Sequence, residues 1–242
     1  MDMKISGSGV IASGEYDDIK ISGSGKLSGL IRCKSLHCSG AAKGEAEIEC
    51  ESDIHISGSG KFDKSIKAGE ISVSGAFACD GDLTVQKKLS ISGGTKCGGS
   101  VKAGEISISG GVSIEGDVEA ETVKVFGTLN CGGLLNAESI EIRFKNGMDI
   151  GSIGGSRINI YPEELVKRKI KLPLFSSLVK GASAVRVANS IEGDVIALES
   201  VVTPRVSGRI VAISDGCEID LVQYSEQVEI SPNAKVGKTE KI

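Results

Sequence analysis

The stretch GSGK occurs twice, at Gly23–Lys26 and at Gly58–Lys61, and it raises phosphate binding as the first chemical possibility. A phosphate loop also needs a glycine five residues before its last glycine, and a Ser or Thr after the lysine to reach the metal. In the first copy those places hold Lys20 and Leu27, so the motif fails. His37 and His55 are the two histidines, and each stands at a polar position between apolar residues, as a surface side chain does. Asp80/Asp82 and Glu115/Asp117 are acidic pairs in Gly-containing turns and read as solvated corners rather than as acid–base machinery. No Ser–His–Asp or Cys–His set can be assembled. The seven cysteines are an odd number without CxxC spacing, which suits neither a disulfide framework nor a zinc site. Six of them, all but Cys217, stand where other parts of the chain carry Ala, Ile or Val. They read as small buried hydrophobes in a reducing compartment. The alternative is a redox staple, Cys79 to Cys97 or Cys33 to Cys50. The sequence therefore predicts a protein that is not an enzyme, with no catalytic, metal or cofactor-binding residues and no cofactor.

What positions these residues is a repeat. KISGSG at Lys4 returns at Lys20 and, as HISGSG, at His55, with weaker copies at Ser72, Ser90 and Ser107. The first glycine of each unit falls at Gly7, Gly23, Gly40, Gly58, Gly75, Gly93, Gly110 and Gly127, a step of 16 to 18 residues. That step is too short for helical repeats and suits one coil of a β-solenoid. Pairs such as Ile19/Ile21, Ile54/Ile56, Ile106/Ile108 and Ile140/Ile142 alternate with polar residues, the pattern of a strand with one buried face. Cys33, Cys50, Ala68, Ala103, Ala120 and Ala137 are expected to form one stacked column, and Cys79, Cys97, Ile114 and Cys131 a second. The phrase glycines are assigned to corners, where either a positive φ or close backbone approach excludes a Cβ. Period six, as in hexapeptide β-helices, and regular turn Asp, as in calcium-binding ones, are both missing.

Composition agrees: 33 Gly, 3% aromatic residues and no Trp fit a narrow core of small and branched side chains. A net charge of −4 gives no reason to expect nucleic acid. There is no apolar run long enough to span a membrane and no basic-apolar signal at the start, which argues for a cytoplasmic location. The repeat is expected to fill a main solenoid over 1–161 and to resume in a shorter segment over 183–242, where SIEGDVIAL at Ser190 echoes SIEGDVEAE at Ser113. Between them, 162–182 has a different texture. Pro162, two glutamates and a later basic cluster fit a short helix aligned with its dipole. Lys167, Arg168, Lys169 and Lys171 beside Leu174, Phe175 and Leu178 form a candidate patch for a membrane surface or a partner; the alternative is a flank that seals the solenoid.

The KISGSG opening, the coil length, the IEGDV turns and the ending CEIDLVQYSEQVEISPNAKV resemble the bactofilins, above all the longer polymer-forming cytoskeletal proteins of Gram-positive bacteria. The resemblance implies an all-β, right-handed parallel β-helix that polymerises without nucleotide into filaments and acts as a cytoplasmic scaffold. Its partner would then be itself, with no nucleic acid and no small-molecule substrate. Repeats begin at Lys4, so an uncapped edge is expected there, and Lys4, Ile5, Val228 and Ile230 are the candidate polymer contacts. Two other functions remain in view: an adaptor acting through 162–181, and a polysaccharide-acting β-helix enzyme, which the lack of an acidic site cluster disfavours.

Overall fold

A computed structural model describes residues 1–163 and 183–242. Of the described residues 75% are strand, and they wind into a parallel β-solenoid of about 13 turns with about 17 residues per coil. Every ladder between coils is parallel, and each residue pairs with the residue one coil on: Lys4 with Lys20, Lys20 with His37, His37 with His55 and His55 with Ser72. The alternation read from the sequence is the cause. Inward residues are branched or small and outward residues are polar, so each coil buries one side of every strand against the other strands of the same coil. One inward column runs unbroken through the molecule, from Met3, Ile19, Leu36 and Ile54 to Ile158, Ile196, Val211 and Val228.

The expected columns form, with two corrections. Cys79, Cys97, Ile114 and Cys131 stack as predicted. In the other column Val85 stands between Ala68 and Ala103, a coil that the small-residue pattern passed over. Val85 keeps the step of the repeat, 17 residues after Ala68 and 18 before Ala103, and only its size departs from the small-residue pattern. Cys217 is the second correction. It was set apart from the core positions, but it is buried, its Sγ directed at the Leu198 carbonyl, because the pairing of Val202 with Glu218 aligns it with Val201.

The phrase glycines owe their place to close approach rather than to dihedral angle. Positive φ occurs among the glycines at Gly29, Gly44 and Gly216 and not in the phrase. A Cβ on Gly23, Gly40, Gly58, Gly75, Gly93, Gly110 or Gly127 would instead collide with the carbonyl oxygen of the phrase glycine one coil earlier. Those carbonyls accept hydrogen bonds from the next coil, as from Ser24 to Gly7 and from Ser59 to Gly40, both at 2.8 Å. They therefore cannot turn away.

At another corner, side chains complete the ladder. Ser65 Oγ accepts from the Asp82 amide, Asp82 Oδ1 from Ser100, Ser100 Oγ from Asp117 and Asp117 Oδ1 from Leu134, at 2.7 to 3.1 Å. The acids of the GD turns thus satisfy backbone donors where the chain bends. Exposed ion pairs also lie one coil apart, such as Arg32–Glu49 at 2.9 Å and Lys102–Glu119 at 2.7 Å. Each such pair contributes little, about 0–1 kcal/mol.

The ladder continues across the interruption. Met148 pairs with Val185, Ile153 with Ile191 and Ile160 with Leu198, so the coils after residue 183 stack directly on those before 163. Pro162 is the last residue of the strand Met148–Pro162, paired with Phe144, and not the start of a helix.

Two expected outcomes test this core. Gly58→Ala should destabilise the solenoid by about 1–3 kcal/mol in urea melts, because the Gly40 carbonyl has nowhere to go. Gly94→Ala, whose Cβ would meet nothing within 4 Å, should be close to neutral. Equal losses would show that chain entropy and not the backbone stack sets the glycine requirement. Thr95 is buried between Phe77 and Val112 in the ladder, and its hydroxyl has no partner. Thr95→Val should raise stability by about 1 kcal/mol in the same assay.

Candidate functional site: coil ends and an interrupted corner

Among the described residues, the strands Met3–Ile5, Ser8–Ile11 and Gly14–Glu15 each have a ladder partner on one side only. Lys4 points outward there. Ile5 does not: its side chain is buried in the core, and its carbonyl accepts from Ser22 at 2.8 Å. What this coil offers is backbone, together with the exposed Val10 and Met1. The coil is held against its neighbour by Asp17, whose Oδ1 lies 2.6 Å from Lys34 Nζ and whose Oδ2 receives the amino terminus. Lys34, and then the terminal ammonium, draw the Asp17 carboxyl down to about 2.

At the other end the strand Glu218–Ile230 pairs along its length with the strand Val201–Ile213. The final strand, Lys235–Lys241, covers only its Glu218–Tyr224 half. Val228 is therefore only half-buried, and Ile230 is exposed, as is Ile242. The four candidate contacts thus fall at both ends of the stack, Lys4 and Ile5 at one and Val228 and Ile230 at the other.

The interruption falls at a corner of the repeat. In seven coils the residue after the paired apolar positions is Ser, from Ser6 to Ser109. The amide of Ser109 bonds the Ile91 carbonyl, and that of Phe126 bonds Ile108 in the same way, so Phe126 takes the serine place. Arg143 and Tyr161 pair with each other in the next two coils. The Arg143 guanidinium lies 5.1 Å from the centre of the Phe126 ring and 5.5 Å from that of Tyr161. It donates to Glu141 Oε1 through Nε at 3.0 Å and Nη2 at 2.7 Å, and Tyr161 donates to the same oxygen at 2.7 Å. Those bonds, Tyr161 first and then Arg143, hold the Glu141 carboxyl below its usual range, while Glu141 pushes the Tyr161 hydroxyl up. This stack was missed in the sequence, although the break in the serine column marked it. Lys145 reaches Glu163 at 3.1 Å beside it. The predicted helix and the patch of Lys167, Arg168, Lys169, Lys171, Leu174, Phe175 and Leu178 lie outside the described residues.

The remaining chemical candidates are dispersed. All seven cysteines are buried and free. His37 Nε2 lies 2.7 Å from Asp53, and its ring meets His55 edge-on at 6.1 Å, both on the outer surface. Among the described residues no group of three or more His, Cys, Asp or Glu is arranged to hold a metal ion, and no helix is long and apolar enough to cross a membrane.

A parallel β-solenoid with in-register coils and partly covered ends is the class of repeat protein this geometry defines. Within it, residues 42–119 match the model of the bactofilin family, described as polymer-forming cytoskeletal. The chain is also 31% identical over 111 residues to the uncharacterized protein YhbF of Bacillus subtilis (strain 168). That alignment covers 46% of this chain and 42% of the relative, so the chain spans less than half of the protein it matches. No solved structure matches it.

The ion pair at the first coil gives a pH test. The folded carboxyl of Asp17 is depressed, so its contribution is complete above the unfolded value of about 3.9 and is lost as pH falls through about 2. In a carboxyl-observed NMR titration Asp17 should show a midpoint near 2. Lys34→Ala should move that midpoint up toward the ordinary value. An unmoved midpoint would mean that Lys34 does not set it.

Proposed function

We propose that this protein is a structural filament-former: it self-associates end to end through its terminal coils, without nucleotide, and serves as a scaffold in the bacterial cytoplasm. One observation carries the reading most directly. At the C-terminal end, the hydrophobic interior is left half-covered at Val228 and exposed at Ile230, above a strand whose Gln227–Ile230 part has a ladder partner on one side only. An uncovered strand edge over an open apolar core recruits another edge. The strand Met3–Ile5, carrying Lys4 and Ile5, supplies such an edge at the opposite end. The polymer-forming description of the family that residues 42–119 match supports the same reading. The failed GSGK motifs support nucleotide independence.

Negative-stain microscopy and sedimentation of the purified chain test this. Filaments are expected with no nucleotide added. Val228→Asp and Ile230→Lys should each abolish them while circular dichroism stays unchanged, because both positions lie at the partly uncovered end. A sharp monomer boundary for the unmodified chain at tens of micromolar, insensitive to salt, would overturn the reading.

A further inference from the structure

The ladder brings cysteines together twice, Cys33 beside Cys50 and Cys79 beside Cys97, each pair as register partners on adjacent coils. Parallel neighbours stand about 4.8 Å apart, within the Cα separation a disulfide spans, so backbone spacing favours neither pair. The surroundings separate them. Cys33 and Cys50 line an open groove of about 720 Å³ with Tyr16, Arg32, Lys34, Glu49 and Lys67. They retain 4% and 5% exposure, against 1% and 0% for Cys79 and Cys97. The Cys33 thiol is directed at Cys50, whose own S–H lies against the backbone carbonyls of Lys34 and Asp53, both at 3.2 Å. Cys79 and Cys97 also direct their S–H groups to backbone carbonyls, those of Lys64, Gly81 and Gly99, so the groove and the residual exposure are what set Cys33 and Cys50 apart.

We propose that Cys33 and Cys50 are a peroxide-responsive thiol pair that closes to a disulfide between adjacent coils, and that Cys79 and Cys97 remain reduced. The acid–base setting agrees with the geometry. The hydrogen bond from Cys33 draws Cys50 down and raises Cys33 in return. Burial pushes Cys79 up to about 12 and Cys97 up as well. The thiolate is the nucleophile, which makes Cys50 the first to react. Its sulfur attacks one oxygen of a hydroperoxide in the groove. The O–O bond breaks, the alcohol leaves, and Cys50 becomes a sulfenic acid. Cys33 then attacks that sulfur, the S–O bond breaks, and hydroxide leaves as water with the Cys33 proton. Two thiols and one hydroperoxide give one disulfide, one alcohol and one water. The bond fastens the strand Gly29–Cys38 to Ala46–Ile56, tying the second coil to the third.

This inference stands apart from assembly, and its readout needs no filaments. The folded full chain is treated with equimolar hydrogen peroxide and analysed by intact mass and by a non-reducing peptide map. The expected result is the loss of two hydrogen atoms, reversed by dithiothreitol, with Cys33 linked to Cys50. Cys33→Ala should halt the reaction at a Cys50 sulfenic acid that dimedone traps. Alanine already occupies this column at Ala68 and Ala103, so the variant has a place in the fold. A Cys79→Ala/Cys97→Ala double variant should lose the two hydrogens as the unmodified chain does. A Cys79–Cys97 link, links between chains, or an unchanged mass would each overturn the proposal.

Discussion

In this molecule each residue must be compatible with the residue one coil above it. Parallel in-register stacking sets equivalent backbone atoms about 4.8 Å apart, and that spacing leaves no room for compromise at the phrase corner. There the carbonyl of one glycine lies where the next glycine's Cβ would be, while it also accepts a hydrogen bond from the following coil. From Gly23 to Gly127 the glycine column is thus a condition on the stack: a side chain at any of these levels would push apart a hydrogen-bonded rung. The recurrent KISGSG phrase follows from this geometry, and no phosphate need be invoked.

The same rule orders the other columns. Apolar residues stack on apolar residues over the length of the molecule. Some outer-face charges pair with the opposite sign one coil on, as in Asp17–Lys34 and Arg32–Glu49, while lysines stack on lysines at Lys4–Lys20 and Lys26–Lys43–Lys61. At the GD turns Ser and Asp alternate as acceptors for the amide of the next coil. Where the rule is relaxed, something new is admitted. The serine corner column gives way to Phe126, Arg143 and Tyr161, and the non-repeating segment enters two residues after Tyr161. A corner projects away from the core, so an insertion there leaves the strands on either side free to pair, as Ile160 does with Leu198.

A stack of identical rungs cannot satisfy its first and last rung by itself, and this links the fold to the proposed assembly. The interior coils find partners above and below. The terminal ones leave strand edges and, at Val228 and Ile230, part of the apolar interior uncovered. The groove lined by Cys33 and Cys50 beside Tyr16 is a second local departure, where buried thiols keep slightly more exposure than those of Cys79 and Cys97.

The sequence by itself determined the coil length, the alternation that buries Ile19/Ile21 and their equivalents, and the Cys79–Cys97–Ile114–Cys131 column. All of these follow from a period visible in residue types. It also placed the glycines at corners, but it left open whether a positive φ or close approach required them, since both demand the same residue. Only the tertiary structure decided for close approach, put Val85 into the cysteine–alanine column, and buried Cys217. It also set the later coils directly on the earlier ones across the interruption. The Phe126–Arg143–Tyr161–Glu141 cluster was beyond a reading of the repeat, because its members lie up to 35 positions apart in a chain whose pattern they break. Spacing along a sequence reports which residues share a column; which atoms touch within and between columns depends on how the backbone bends at each corner.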